Sequence, residues 1–224
     1  MAGCDEVGRG PLAGPVVAAC ASFHFKEYQE KEFKKILKEL TLLGVNDSKK
    51  LSGPKRQKIL SNFSFNNDPL SVNQIYTHVY SNNTCLKICI KEISPQTIDK
   101  INILNASLMA MSEASQACYD LEATGLLLID GNKKFSSKNE KMDMLTVIGG
   151  DAKSLLIGLA SIIAKEYRDQ LMKDFCNKYP GYGWSQNAGY GTAQHLAAIS
   201  TLGVTEIHRR TFKGVKEYCY EERG

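Results

Sequence analysis

Apolar and polar positions alternate along the chain in blocks that predict a mixture of strands and helices. PVVAACASF (15–23) is a short, partly β-branched apolar run and predicts a buried strand. KEYQEKEFKKILKELTLL (26–43) carries apolar residues at helical spacing among many charges, which predicts an amphipathic surface helix. GVNDSKKLSGPKRQKILSNF (44–63) predicts a polar turn and then a helix, with Ser52 as its cap and Pro54 in its first turn. In TCLKICI, Leu86, Ile88 and Ile90 alternate with Cys85, Lys87 and Cys89, the period of a strand with two thiols on its second face. Together with SVNQIYTHVYS across Asn82-Asn83, it predicts a β-hairpin.

Residues 94–121 begin Ser-Pro and place Ile98, Ile101, Leu104, Leu108 and Met111 at helical spacing. GLLLIDG (125–131) is an apolar strand closed by Asp-Gly, and DMLTVIGGD (143–151) repeats that design. Residues 151–179 predict a long helix whose first half is apolar on nearly every face, as expected between a sheet and other helices. A tail of aromatic, glycine and basic residues follows. No repeat or linker interrupts the chain, so a single mixed α/β domain over 1–224 is expected.

Composition adds limits. The 28 Lys and Arg against 24 Asp and Glu leave a net charge of +4, which permits a nucleic-acid partner without requiring one. Seven cysteines, with no CxxC pair and no histidine at knuckle spacing, argue against a zinc site and for a reducing compartment. No apolar run of about 18 residues is present, so a cytoplasmic protein off the membrane is expected. The N-x-S/T triplets at Asn46, Asn82 and Asn105 are then chance matches.

The chemistry is suggested by where the acids fall. DEVGRGPLAGP (5–15) sets two adjacent carboxylates, Asp5 and Glu6, against Gly8-Arg9-Gly10. Asp130 closes LLLID, and Asp151 closes TVIGG. An acid at a strand end is commonly a turn former or a helix cap. If these strands are neighbours, however, all four carboxylates converge at one edge of a sheet. Such acids repel unless a cation sits among them, and oxygen-only donors suit Mg²⁺ or Mn²⁺. Two such ions would activate a water and stabilise the leaving oxygen in phosphodiester cleavage. Glycines beside them let the backbone approach a ligand, and arginine offers a fork for phosphate.

Taken in order, these motifs resemble the type 2 ribonucleases H, and among them bacterial ribonuclease HII. The resemblance rests on DEVGRGPLAGPVVAA, NDSKKL (46–51), INILNASLMAM (101–111), LLIDG (127–131), GGD (149–151), ASIIAKEYRD (160–169), YPGYG, AGYGTAQH and HRRTF (208–212). It implies a ribonuclease H-like fold: a mixed central sheet flanked by helices over about 1–175, then a helical substrate-binding region over about 176–224. It implies an endonuclease that cuts the RNA strand of RNA/DNA hybrids and cuts 5′ of single ribonucleotides embedded in duplex DNA. By motif position, the metal-binding acids of the family fall on Asp5, Glu6, Asp130 and Asp151. The loop that senses the ribose 2′-hydroxyl falls on Gly8, Arg9 and Gly10, and the tyrosine at the ribonucleotide–deoxyribonucleotide junction on Tyr190. Ser48, Lys49, Ser161 and Lys165 resemble positions near the scissile strand, and a monomer is expected.

Other residues read less functionally. Lys50, Lys55 and Arg56 suit a solvated helix face, while His208-Arg209-Arg210 suits either a DNA contact or a cap on the fold. Asp169 lies about 18 helical residues beyond Asp151, a rise of about 27 Å, and so cannot share its metal. Three departures from the family stand out: an apparent insertion over about 24–43, a first strand left short because only four residues precede Asp5, and Gly149 and Ala188 where lysines are usual. Ribonuclease HIII shares the four acids but typically carries threonine where this chain has Arg9. A non-catalytic hybrid-binding module is the alternative of another class, although a binder would gain by losing acids that repel phosphates. A related integrase or exonuclease would need the metals but not the loop and tyrosine together.

Overall fold

The computed structural model describes residues 1–65 and 69–219. Six strands form one sheet: β1 (Ala2–Val7), β2 (Val16–Phe25), β3 (Ile75–Val79), β4 (Thr84–Ile93), β5 (Gly125–Asp130) and β6 (Met142–Val147), in the spatial order β3-β4-β2-β1-β5-β6. β1, β2, β4 and β3 pair antiparallel in succession, whereas β5 runs parallel to both β1 and β6. The sheet is therefore mixed, and the parallel side carries three strand ends pointing the same way.

The alternation in β2 divides its residues between two cores. Val17, Ala19, Ala21 and Phe23 face one side with Leu86, Ile88 and Ile90 of β4. There they meet α1 (Glu30–Leu43), α2 (Gly53–Leu60) and the apolar first half of α5 (Leu155–Lys178). Val16, Ala18 and Cys20 face the other side with Cys4 and Cys89, against α3 (Pro95–Ile101) and α4 (Ile103–Cys118). Thus Cys89 is a core residue, and all seven cysteines are free. A third core joins Leu12 and Ala13 to Met172, Tyr182, Trp184 and Ile199, where α6 (Trp184–Asn187) and α7 (Ala193–Leu202) form the C-terminal region. No described helix is long and apolar enough to cross a membrane.

Several expected elements differ in detail. The stretch 94–121 splits at Asn102, whose backbone turns to φ 65° while its side chain accepts the Asn105 N–H at 3.0 Å. A capping side chain thus starts a new helix inside one periodic pattern. Ser52 precedes α2 in extended conformation but forms no side-chain cap. The expected helix over 151–179 starts only at Leu155, because Gly150–Ala152 form a 3-10 turn. The segment that looked inserted supplies the end of β2 and all of α1. Asn83 of the hairpin ties it down by hydrogen bonds to Glu27 and Glu32.

Candidate metal-dependent active site

The parallel pairing of β1 and β5 brings Asp5, Glu6 and Asp130 to one edge, although Asp130 is more than a hundred residues away in sequence. One carboxylate oxygen from each lies within 4.8 Å of the other two. Gly3 contributes to this placement, since a Cβ there would lie 2.5 Å from the Ile157 backbone nitrogen. Without it, α5 runs directly against β1. The Ser161 hydroxyl of that helix hydrogen-bonds Asp5, and Ser48 and Ser161 share a bond of 2.8 Å. Two serines from distant parts of the chain thereby join the site.

Asp151 stands beside this trio rather than within its tightest grouping. It is the middle residue of the 3-10 turn after β6 and accepts the Ala152 N–H at 3.0 Å. The Gly150 N–H of the same turn donates to Asp130 at 2.6 Å, which couples the turn to the end of β5.

Electrostatics matches the geometry. Burial pushes the Asp5 carboxyl well above the usual carboxylate range, the Ser161 hydrogen bond opposes it, and Glu6 and Asp130 add to the rise. Glu6 is raised chiefly by burial, against Arg9 and with Asp130. Asp151 is raised by burial, then by Asp47 and Asp130, with Lys49 opposing. Crowded, partly desolvated carboxylates that cannot all be charged without help are donors suited to a hard divalent cation. The oxygen-only donor set fits Mg²⁺ or Mn²⁺ and does not suggest zinc.

Two cations line the rim. Arg9 Nη1 lies 3.3 Å from Glu6 Oε1 with its side chain 51% exposed, and Lys49 Nζ lies 3.7 Å from Asp151 with its side chain 77% exposed. Burial draws the Lys49 ammonium down, but Asp151, Asp5, Asp47 and Asp130 outweigh it and leave its pKa raised. Asp47 was absent from the expected site. Its side chain accepts the Lys49 N–H and fixes the turn that presents Ser48 and Lys49.

The loop after β1 and the C-terminal region meet at Tyr190. A Cβ on Gly10 would lie 3.3 Å from Tyr190 Cε1, so loop and ring are in contact while the ring stays 47% exposed. Behind the tyrosine, His195 Nδ1 bonds the Tyr190 carbonyl at 2.9 Å. His195 Nε2 meets Trp184 Nε1 at 2.9 Å and His208 Nε2 at 3.1 Å.

Lys165 lies elsewhere, 2.5 Å from Asp169 and within a set of ions that does not include the acidic trio. Arg56 is not on a solvated face. It is buried and pairs with Glu166 at 2.9 Å and with Asp169 at 2.7 Å. Of the HRR triplet, His208 and Arg209 turn inward, and the Arg210 N–H donates to Asp99 at 2.8 Å. No local signal marks Arg56 or Arg209 as interior, because most of their partners lie far away in sequence.

The chain matches known proteins along its length. The family model described as Ribonuclease HII matches residues 2–215. A ribonuclease HII of Ruegeria pomeroyi is 40% identical over 222 residues, covering 99% of this chain and 80% of that protein. A ribonuclease HII of Geobacter sulfurreducens is 40% identical over 223 residues, covering 100% of this chain and 86% of that protein. Among solved structures, the ribonuclease H2 of Pyrococcus horikoshii OT3 superposes with a TM-score of 0.66 at 22% identity, covering 97% and 95% of the two chains. Bst-RNase HIII in complex with Mn²⁺ superposes with a TM-score of 0.53 at 20% identity, covering 97% and 68%. These two likenesses establish the ribonuclease H-like fold.

Proposed function

The chain belongs to the ribonuclease HII family and is a ribonuclease H-type endonuclease, and on that premise we propose that it cuts 5′ of single ribonucleotides embedded in duplex DNA as well as within RNA/DNA hybrids. The observation that carries this reading is the acidic trio, three carboxylates within 4.8 Å of one another at the ends of adjacent strands. Asp5, Glu6 and Asp130, with Asp151 beside them, are the residues that would hold Mg²⁺ or Mn²⁺. Bst-RNase HIII, of the same fold, is known in complex with Mn²⁺. Divalent cations bound there would activate a water and neutralise the leaving oxygen.

The protein's own groups would orient the strand around that chemistry. Gly8, Arg9 and Gly10 follow directly on the acids of β1, and with the Gly8 and Arg9 carbonyls held by Arg209 it is the loop's N–H groups that would read a ribose 2′-hydroxyl. The exposed Tyr190 ring, packed on Gly10, offers a flat wall on which the next sugar would pack, so that a 2′-hydroxyl there would be crowded out. The exposed Arg9 and Lys49 side chains can reach phosphates, and Ser161, itself hydrogen-bonded to Ser48, steadies the Asp5 carboxyl.

Cleavage of a DNA duplex carrying one ribonucleotide tests the reading, with wild type and Asp130→Asn in Mg²⁺ and in Mn²⁺. The expected product is a 5′-side cut leaving 3′-hydroxyl and 5′-phosphate ends, with a loss of at least about 10²-fold in the variant. A wild type that cuts only continuous hybrid would refute the single-ribonucleotide activity. Binding without any cut would make the chain a hybrid-binding module.

A further inference from the structure

Two guanidinium groups sit in the core directly behind the glycine loop. Arg168 on α5 is 1% exposed and Arg209 is 0% exposed. Their hydrogen bonds go to main-chain carbonyls. Arg209 donates to Gly8 at 2.5 Å, to Arg9 at 2.9 Å and to Gly14 at 3.0 Å. Arg168 donates to Ala13 at 3.1 Å, to Pro15 at 3.2 Å and to Ala188 at 3.0 Å. Burying a charge in this way is costly unless its hydrogen bonds are made. What it achieves here is specific: these carbonyls lie outside the six strands of the sheet, and an arginine fork supplies several donors in fixed directions.

The acceptors belong to the two segments that face the substrate. Arg209 grips both residues at the start of the loop, and Arg168 bridges its far end to the turn before Tyr190. That turn holds Ala188 at φ 49°, a left-handed conformation unusual outside glycine, with its carbonyl fixed by Arg168. Gly8, at φ 89°, lies against the same guanidinium, and a Cβ there would sit 2.3 Å from Arg168 Nε. The two segments also bond directly, Leu12 N–H to the Gly189 carbonyl at 2.7 Å.

We propose that Arg168 and Arg209 are positioning residues for substrate selection: they lock the glycine loop and the Tyr190 turn into one rigid unit, and the preference for a ribonucleotide–DNA junction over continuous hybrid depends on that lock. The inference rests on the reading of the loop and Tyr190 given above. Lysine cannot replace either arginine, because one ammonium cannot reach three carbonyls that diverge around a planar fork. The charge would survive the exchange and the geometry would not.

The test uses Arg168→Lys and Arg209→Lys in the full chain, at a temperature where both are folded by circular dichroism. kcat and KM are measured in Mg²⁺ on the single-ribonucleotide duplex and on continuous hybrid. For Arg209→Lys, which loosens the loop itself, kcat is expected to fall about 10²-fold on the single-ribonucleotide duplex and about tenfold less than that on continuous hybrid, with KM little changed. For Arg168→Lys, the ratio of junction to hybrid kcat/KM is expected to fall about tenfold. Amide exchange should quicken over 8–15 and 188–191 but not over β1 or α4. Folded variants that keep wild-type kcat and selectivity overturn the inference, as do losses that track the folded fraction with the ratio unchanged. A wild type that cuts neither duplex overturns the proposed function instead, and the selectivity with it. Should a lysine variant fail to fold, Ala188→Gly relaxes the turn that Arg168 holds. It should lower the same ratio, and an unchanged ratio counts against the lock.

Discussion

Replacing Asp5 by Asn should stabilise the metal-free protein while destroying its activity, and the size of the gain follows from the site. Asp5 is 5% exposed, and one of its carboxylate oxygens lies within 4.8 Å of oxygens from both Glu6 and Asp130. At an effective dielectric of about 20, two unit charges at that separation repel by about 3.5 kcal/mol. The folded protein escapes much of this by keeping a proton, which is why burial, Glu6 and Asp130 leave the Asp5 pKa raised. A raised folded pKa means that the folded state holds the proton more tightly than the unfolded state. Stability is therefore full below the ordinary carboxylate pKa and is lost as pH rises toward the folded value, by up to about 1.4 kcal/mol per pH unit.

Asparagine carries no charge and keeps an oxygen for the Glu6 N–H, which donates to Asp5 at 2.7 Å in the wild type. The net gain at neutral pH should be about 1–3 kcal/mol, or about 2–12 °C in Tm at roughly 2–4 °C per kcal/mol. Melting both proteins in EDTA from pH 4.5 to 8 measures it. The difference should grow with pH, and Mg²⁺ should raise the wild-type Tm more than the variant's. A variant that is less stable than wild type at every pH, or a difference independent of pH, would refute the reasoning.

Two further outcomes are expected. Tyr190→Ala should weaken cutting at a single embedded ribonucleotide by about tenfold more than cutting of continuous hybrid, and equal losses would remove the ring from junction reading. His208 is lowered to about 4 by burial and by His195, so its neutral form is the folded one. Stability should fall as pH drops from about 6.5 toward 4, by up to about 1.4 kcal/mol per unit. The fall should be shallower in His208→Asn, and an unaltered slope in unfolding by urea would exclude His208 as its source.

Period and punctuation in the sequence determined much of this molecule. The alternation of PVVAACASF decides which face each β2 residue takes, and a one-residue slip would move the whole set to the wrong core. The acids at the ends of LLLID and TVIGG were legible because an apolar strand that stops at a carboxylate is a local event. What the sequence could not determine was adjacency. Asp130 reaches Asp5 only because β5 pairs parallel with β1, and Ser161 reaches it only because Gly3 lets α5 lie close.

Burial of charge was equally illegible. Arg56 read as part of a solvated helix face, Arg209 as either a DNA contact or a cap on the fold, and nothing local marked Arg168 as interior, because an arginine is normally solvated. They are interior because carboxylates 110 and 113 residues away meet the first, and carbonyls as far as 155 and 201 residues away meet the others. Local pattern placed the reacting groups along the chain. Long-range contact, whose free energy depends on which desolvated groups find partners in the tertiary fold, decided what holds them in register.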